Sequence, residues 1–270
     1  MMQVILAIKS LHNRIRSWIL ELMPCFIMSY YGMDVLATLL KYRLVCTEKA
    51  VVLDVHDVFG YVYTTFDALL TAAAIALITV QRKEETGIIM LLIGRVTHRL
   101  LFSIWTHLHH FLLNDCLDVG SLLCLLATRV YQRDRNEWQR LDLRKFELLL
   151  LAGRISLSSI YISWLEEGTN TFCNILYLAL LSALLLGLKC RIASYTTVLA
   201  ILYHDVLSVN FWFLWGWNDA ILSLQYSSLL LSKIGGFLLL SQLGAGKWSL
   251  DKFQSRTAER KEQMGNYRLI

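Results

Sequence analysis

Charge is scarce in this chain. Asp, Glu, Lys and Arg make up 17% of its 270 residues, where a soluble domain carries about 25%. The shortage excludes a disordered or low-complexity protein, which would be rich in charge and poor in apolar residues. Cysteine is sparse too. Six in 270 residues do not make a disulfide-stapled mini-protein. None of Cys25, Cys46, Cys116, Cys124, Cys173 and Cys190 stands in a C-x-x-C pair, and each reads as a small apolar residue. The signatures G-x-x-x-x-G-K-[ST], H-E-x-x-H and G-x-S-x-G are missing, as is any N-x-[ST] acceptor. There is one proline. What fills the chain is apolar: 56% by the AVILMFWYC count, with mean hydropathy +0.49. The class that remains is an all-α, polytopic membrane protein.

A spanning helix needs roughly 20 mostly apolar residues. Eight segments qualify: 24–40, 56–80, 86–105, 112–130, 146–165, 170–188, 192–214 and 220–243. The first is short, with room to extend back to Trp18. The break between the third and fourth rests on His107, His109, His110, Asn114 and Asp115. Ahead of the first span, Lys9, His12, Arg14 and Arg16 interleave with apolar residues. Leu11, Ile15, Trp18 and Ile19 share one helix face. Residues 1–23 therefore read as a basic amphipathic helix on the cytosolic leaflet, or else as an extension of the first span. The domain plan is this segment, a helical bundle over 24–243 with halves at 24–130 and 146–243, and a tail over 244–270.

The placement of Lys and Arg orients the bundle. With a cytosolic N-terminus, nineteen of the 26 fall in cytosolic stretches. Three, Lys41, Arg43 and Lys49, fall on the other side, and four lie within spans. One missing span would invert everything after it, so the asymmetry predicts eight spans with both termini cytosolic. The basic stretch 129–145 follows from the same rule and needs no nucleic acid.

The charges inside spans are Arg95, Arg99, Arg154 and Lys233, set against Asp34, Asp67, Asp118 and Asp205. Each costs about 2.5–3.5 kcal/mol at a helix centre on insertion scales. They are tolerable if they pair or face water inside the bundle. Arg95, His98 and Arg99 share one helix face. So do Thr197, His204 and Ser208, and the small residues Ser228, Ser232, Gly235 and Gly236, which suit close helix contact. Two readings compete: structural ion pairs, with Asp67, Arg95, Arg154 and Lys233 as candidates, and a polar cavity built from Asp34, Arg99, Asp118, His204, Asp205 and Trp212. His107, His109 and His110 offer imidazoles. A metal site needs converging ligands and a second shell, and polar rings are at ease near an interface, so no metal and no cofactor is assigned.

The end of the last span carries a resemblance. Lys233-Ile234-Gly235-Gly236-Phe237 leads to Leu243-Gly244-Ala245-Gly246-Lys247-Trp248-Ser249-Leu250-Asp251. This resembles the C-terminal end of the surfeit locus protein four family, the endoplasmic reticulum cargo receptors. Phe102-Ser103-Ile104-Trp105 with Val119-Gly120-Ser121-Leu122-Leu123, Ala152-Gly153-Arg154-Ile155, Leu186-Gly187-Leu188-Lys189 and Val209-Asn210-Phe211-Trp212 are similar to other family stretches. The likeness covers roughly 22–255. Two features depart from it: only Asp34 remains of the family's acidic run in the first span, and Gly265–Ile270 holds no dilysine. The second half also resembles the DoxX-like four-helix module, and the matching span count of the first half fits a four-plus-four duplication.

The resemblance implies a non-enzymatic receptor in the endoplasmic reticulum membrane, cycling to the Golgi. It would bind short N-terminal sequences of soluble secretory proteins in the lumen, and its partners would be membrane lipids, cargo and vesicle coat machinery. A buried N-terminal amine needs a carboxylate partner; Asp34 and Asp205 stand at lumenal depth, with His204 adjacent. The aromatics Phe211, Trp212, Phe213 and Trp215 would meet apolar cargo side chains, or else form an interfacial belt. The alternatives are a DoxX-like redox or quinone-associated protein recruiting His98 and His204, and a small-solute transporter.

Overall fold

The computed structural model describes residues 2–80, 83–102, 116–136, 143–166, 171–203 and 220–253, with the backbone alone for 2–17 and Arg99 among others. These form ten helices: α1 (Met2–Leu40), α2 (Tyr42–Val52), α3 (Asp57–Thr79), α4 (Glu84–Phe102), α5 (Cys116–Asn136), α6 (Leu143–Leu157), α7 (Ile160–Glu166), α8 (Thr171–Leu186), α9 (Cys190–Ile201) and α10 (Ala220–Leu243). No strand occurs among the described residues.

The surface is apolar where a soluble protein is polar. On α3, Val58, Val62, Phe66 and Leu69 recur at helical spacing, and each is more than 60% exposed. Ile89, Ile93 and Leu100 on α4, and Phe172, Ile175 and Leu178 on α8, are exposed in the same way. Stripes of this extent need a lipid solvent. Three stretches are long and apolar enough to cross a membrane: Trp18–Leu40, Asp57–Thr79 and Arg144–Glu166. Helices α8 and α9 are apolar but shorter.

Several elements depart from the sequence reading. Helix α1 runs unbroken from the segment ahead of the first span through Pro24 to Leu40. The missing proline N–H forfeits one ladder bond there. The predicted fifth span falls within Arg144–Glu166 and bends at Ser158 and Ser159. Their hydroxyls donate to the carbonyls of Ile155 and Ser156 at 2.6 and 2.8 Å, competing with the helix ladder where α6 gives way to α7. The stretch read as a connection between the first two spans is itself helical: α2 buries Cys46 and Ala50, one turn apart. It lies directly on α3 at Gly60, where a Cβ would strike the Cys46 carbonyl oxygen.

The core joins α1, α5, α6, α7 and α10 through Ile27, Tyr31, Leu122, Leu125, Leu157, Tyr161 and Phe237. Helices α5 and α6 cross closely and antiparallel, Gly120 against Leu157 and Gly153 against Cys124. On α10, Ser228 and Ser232 are buried, Gly235 faces Ile27 and Gly236 faces Ser121. The Ser121 hydroxyl donates to the Ser232 carbonyl at 3.3 Å. The Tyr161 and Thr197 hydroxyls are hydrogen-bonded to each other, which ties α7 to α9.

Candidate functional site

Helices α1 to α5 enclose a charged cluster in this otherwise apolar bundle. Arg95 of α4 donates from Nη2 to Oδ2 of Asp34 on α1 at 2.9 Å. Its guanidinium also lies over the rings of Tyr30 and Tyr31, 4.9 and 5.0 Å from their centroids. Such contacts offset part of the cost of burying a cation. One turn further along α4, His98 places Nδ1 3.5 Å from Asp67 Oδ2 and 3.2 Å from the Tyr63 hydroxyl, both on α3.

Lys49 of α2 completes the group. Its Nζ is 3.6 Å from Asp67 and lies over the rings of Tyr63 and Phe102 at 5.0 and 5.6 Å. Burial pushes the Lys49 ammonium below its ordinary range, while Asp67 and Asp34 pull it back up. Asp118, buried on α5, adds its field to Arg95 and Tyr31. Tyr31, Asp34, Asp67, Thr71, Gly94, Arg95 and His98 border a space of about 10 Å³, room for about one water. Asp34 stands at the rim with 39% of its side chain exposed.

A second polar centre lies on α6. Arg154 is 1% exposed, and among the described residues its guanidinium has no carboxylate partner. It donates instead to three backbone carbonyls, Ala245 at 2.7 Å, Trp248 at 2.8 Å and Leu185 at 3.3 Å. Those carbonyls are free because two helices end nearby. Helix α8 closes with Gly187 at φ +70°. There Gly187 N–H reaches Leu184 and Leu188 N–H reaches Ala183, at 3.1 and 2.8 Å, the paired bonds of a Schellman cap. Helix α10 ends at Gly244, φ +78°, whose N–H bonds to the Leu240 carbonyl at 2.9 Å. These charge-assisted bonds to three carbonyls offset part of the cost of burying the cation.

A model of the SURF4 family matches residues 12–256. The chain belongs to the SURF4 family. Among characterised proteins, the ER-derived vesicles protein ERV29 of Saccharomyces cerevisiae is 23% identical over 190 residues, 68% of this chain and 60% of that protein. The aligned part thus spans less than two thirds of the relative. No solved structure matches.

Three stretches that carried the family resemblance meet in this SURF4 chain at one point. Gly153-Arg154, Leu186-Gly187-Leu188-Lys189 and Gly244-Ala245-Gly246-Lys247-Trp248 supply the cation, one helix cap and the carbonyl hook.

The structure brings Asp34, Asp67 and Arg95 into one cluster, with the field of Asp118 reaching it. It places Arg154 elsewhere and leaves Lys233 half-buried on α10. His204, Asp205, Trp212 and the Arg99 side chain lie outside the described residues, as does the trio His107, His109 and His110. Sequence reading missed Lys49, Tyr30, Tyr31 and Tyr63. A signal for Lys49 was present: Cys46 and Ala50 flank it at helical spacing.

Proposed function

We propose that this SURF4-family protein is a cargo receptor of the endoplasmic reticulum membrane. It collects soluble secretory proteins in the lumen, passes them to vesicles bound for the Golgi, and returns. Its partners are membrane lipids, the cargo and the coat machinery. Family membership and the likeness to a protein of ER-derived vesicles support the setting.

The eight-span orientation with cytosolic termini supplies the geometry. Contacts between residues that this orientation puts on the cytosolic side support it. Arg129 at the end of the fourth span is 2.5 Å from Glu84 before the third. Tyr131 packs on Phe146, ring centroids 5.5 Å apart. In the same orientation the Asp34–Arg95–Asp67–His98 cluster lies from mid-depth toward the lumen, with α2 on its lumenal side.

The observation that carries the recognition reading is the half-open carboxylate of Asp34 at the rim of a buried charged cluster. An incoming N-terminal amine is a cation of the kind this carboxylate already holds. It binds by exchanging with, or joining, the Arg95 guanidinium. Asp205, beside His204, serves as the second carboxylate, and the aromatics from Phe211 to Trp215 receive apolar side chains.

Charge, not shape, then dominates at these carboxylates. Asp34→Asn and Asp205→Asn keep volume and an acceptor oxygen but lose the charge. A charge-assisted contact contributes roughly 1.5–3 kcal/mol, so cargo affinity falls about ten- to a hundredfold. Pulse-chase export of a dependent secretory protein, normalised to receptor abundance, reads the effect. Normal export by both well-expressed variants removes the amine-binding reading.

A further inference from the structure

Beside the Arg154 centre lies a cavity of about 810 Å³, within the range of small-molecule sites. Its rim carries four cations, Lys189, Arg191, Lys247 and Lys252, against two anions, Glu147 and Asp251. Lys189, Arg191 and Lys247 form no ion pair with any described residue. Its walls are apolar where Phe146, Ile192 and Leu243 line it. The left-handed turn at Lys189 starts α9 with no side chain capping its first N–H groups, which adds a weaker attraction for negative charge.

Trp248, 62% exposed, stands on the hook between the lining residues Lys247 and Ser249. An indole settles at the headgroup level of a bilayer. A cationic rim over apolar walls, at headgroup depth, fits an amphiphile with an anionic head.

We infer that this cavity binds the headgroup of an anionic phospholipid of the cytosolic leaflet, with the phosphate among Lys189, Arg191 and Lys247 and the upper acyl chains against Phe146, Ile192 and Leu243. The leaflet rests on the orientation proposed above; the site itself rests on the cavity and its charges. Anionic lipids are concentrated in cytoplasmic leaflets. The occupant bridges the ends of α6, α9 and α10 next to the hook that holds Arg154, so binding stabilises the folded bundle.

The test uses the full-length protein purified in a neutral detergent, where orientation plays no part. Native mass spectrometry titrates dioctanoyl phosphatidylserine, dioctanoyl phosphatidylcholine and soluble glycerol 3-phosphate. The expected result is phosphatidylserine binding at least about tenfold tighter than phosphatidylcholine, with glycerol 3-phosphate weaker still. Lys189→Gln/Lys247→Gln lowers phosphatidylserine affinity by about tenfold or more and leaves unliganded thermal stability unchanged. Lys41→Gln/Lys83→Gln, which removes the same charge elsewhere, has no effect. Equal binding of the two lipids, full binding by the Lys189/Lys247 variant, or glycerol 3-phosphate binding as tightly as the lipid overturns the inference. A failure of orientation shows separately, in cysteine labelling.

Discussion

Arg154 illustrates what a single residue commits the fold to. Its planar fork supplies parallel donors to two carbonyls of the hook and one of α8. Leucine leaves those carbonyls without their cation, at about 1–3 kcal/mol for each acceptor left unsatisfied. Arg154→Leu is expected to lower thermal stability in detergent and abundance in cells well below Arg144→Leu, whose side chain is exposed. Arg154→Lys falls between them, because one ammonium cannot reproduce the fork. Equal melting of all three rejects the assignment. Gly187 is bound to the same centre. Its φ of +70° disfavours any Cβ, and a Cβ would lie 2.6 Å from both Arg154 Nη1 and Ser249 Cβ. Gly187→Ala is expected to cost more than the ~1 kcal/mol of a strained left-handed alanine, measured by thermal unfolding. The sequence marked Arg154 as a cation in need of a partner. It could not name the partners, because backbone carbonyls 91 and 94 residues away leave no pattern in residue types.

At the scale of elements, charges decide which helices stay together. Asp34 and Arg95 join α1 to α4, while Lys49 and Asp67 hold α2 on α3. Breaking one partner of a buried pair costs roughly 3–5 kcal/mol in soluble proteins and less among membrane helices. Arg95→Gln is expected to reduce the protein's abundance more than Asp34→Asn, because asparagine still offers Arg95 an acceptor. The double variant recovers abundance relative to Arg95→Gln alone, and a double-mutant cycle on melting temperature measures the coupling. Strictly additive losses show that the two side chains act independently. Helix α2 sits on Gly60, so Gly60→Leu is expected to lift it from α3 and expose Cys46, now buried. Faster alkylation of Cys46 in a variant lacking the other cysteines reads this out; an unchanged rate shows that α2 does not depend on the close approach. The pairings within this cluster were half legible. Equal numbers of intramembrane cations and anions pointed to pairing, and the shared face of Arg95 and His98 placed both. Helix α2 escaped because an 11-residue amphipathic turn has no span-length apolar run.

At the scale of the whole molecule, the apolar runs located the described helices better than they located the breaks. The serine bend between α6 and α7 lies inside an uninterrupted apolar stretch, and local hydroxyl competition decided it. The continuous α1 crosses a basic segment that composition sets apart. The predicted orientation is open to direct measurement. Single cysteines introduced within 133–145 and 248–270 in a cysteine-free background are expected to react with an impermeant maleimide from the cytosolic side. Those within 166–169 react only from the lumen. Labelling of 166–169 from the cytosol overturns the eight-span scheme.

The hook that holds Arg154 gives the fold an order in time. A ribosome delivers α6 long before it delivers Ala245 and Trp248, so the guanidinium enters the membrane ahead of two of its three acceptors. Helix α8 brings the Leu185 carbonyl next, and the site closes only when the residues after α10 arrive. Until then the nascent bundle carries an unsettled cation, the type of exposed defect that quality-control machinery reads. Translation stopping at Leu243 yields every helix described here and never completes that site. Completing the site thereby falls to the short segment after α10 that carries Ala245 and Trp248.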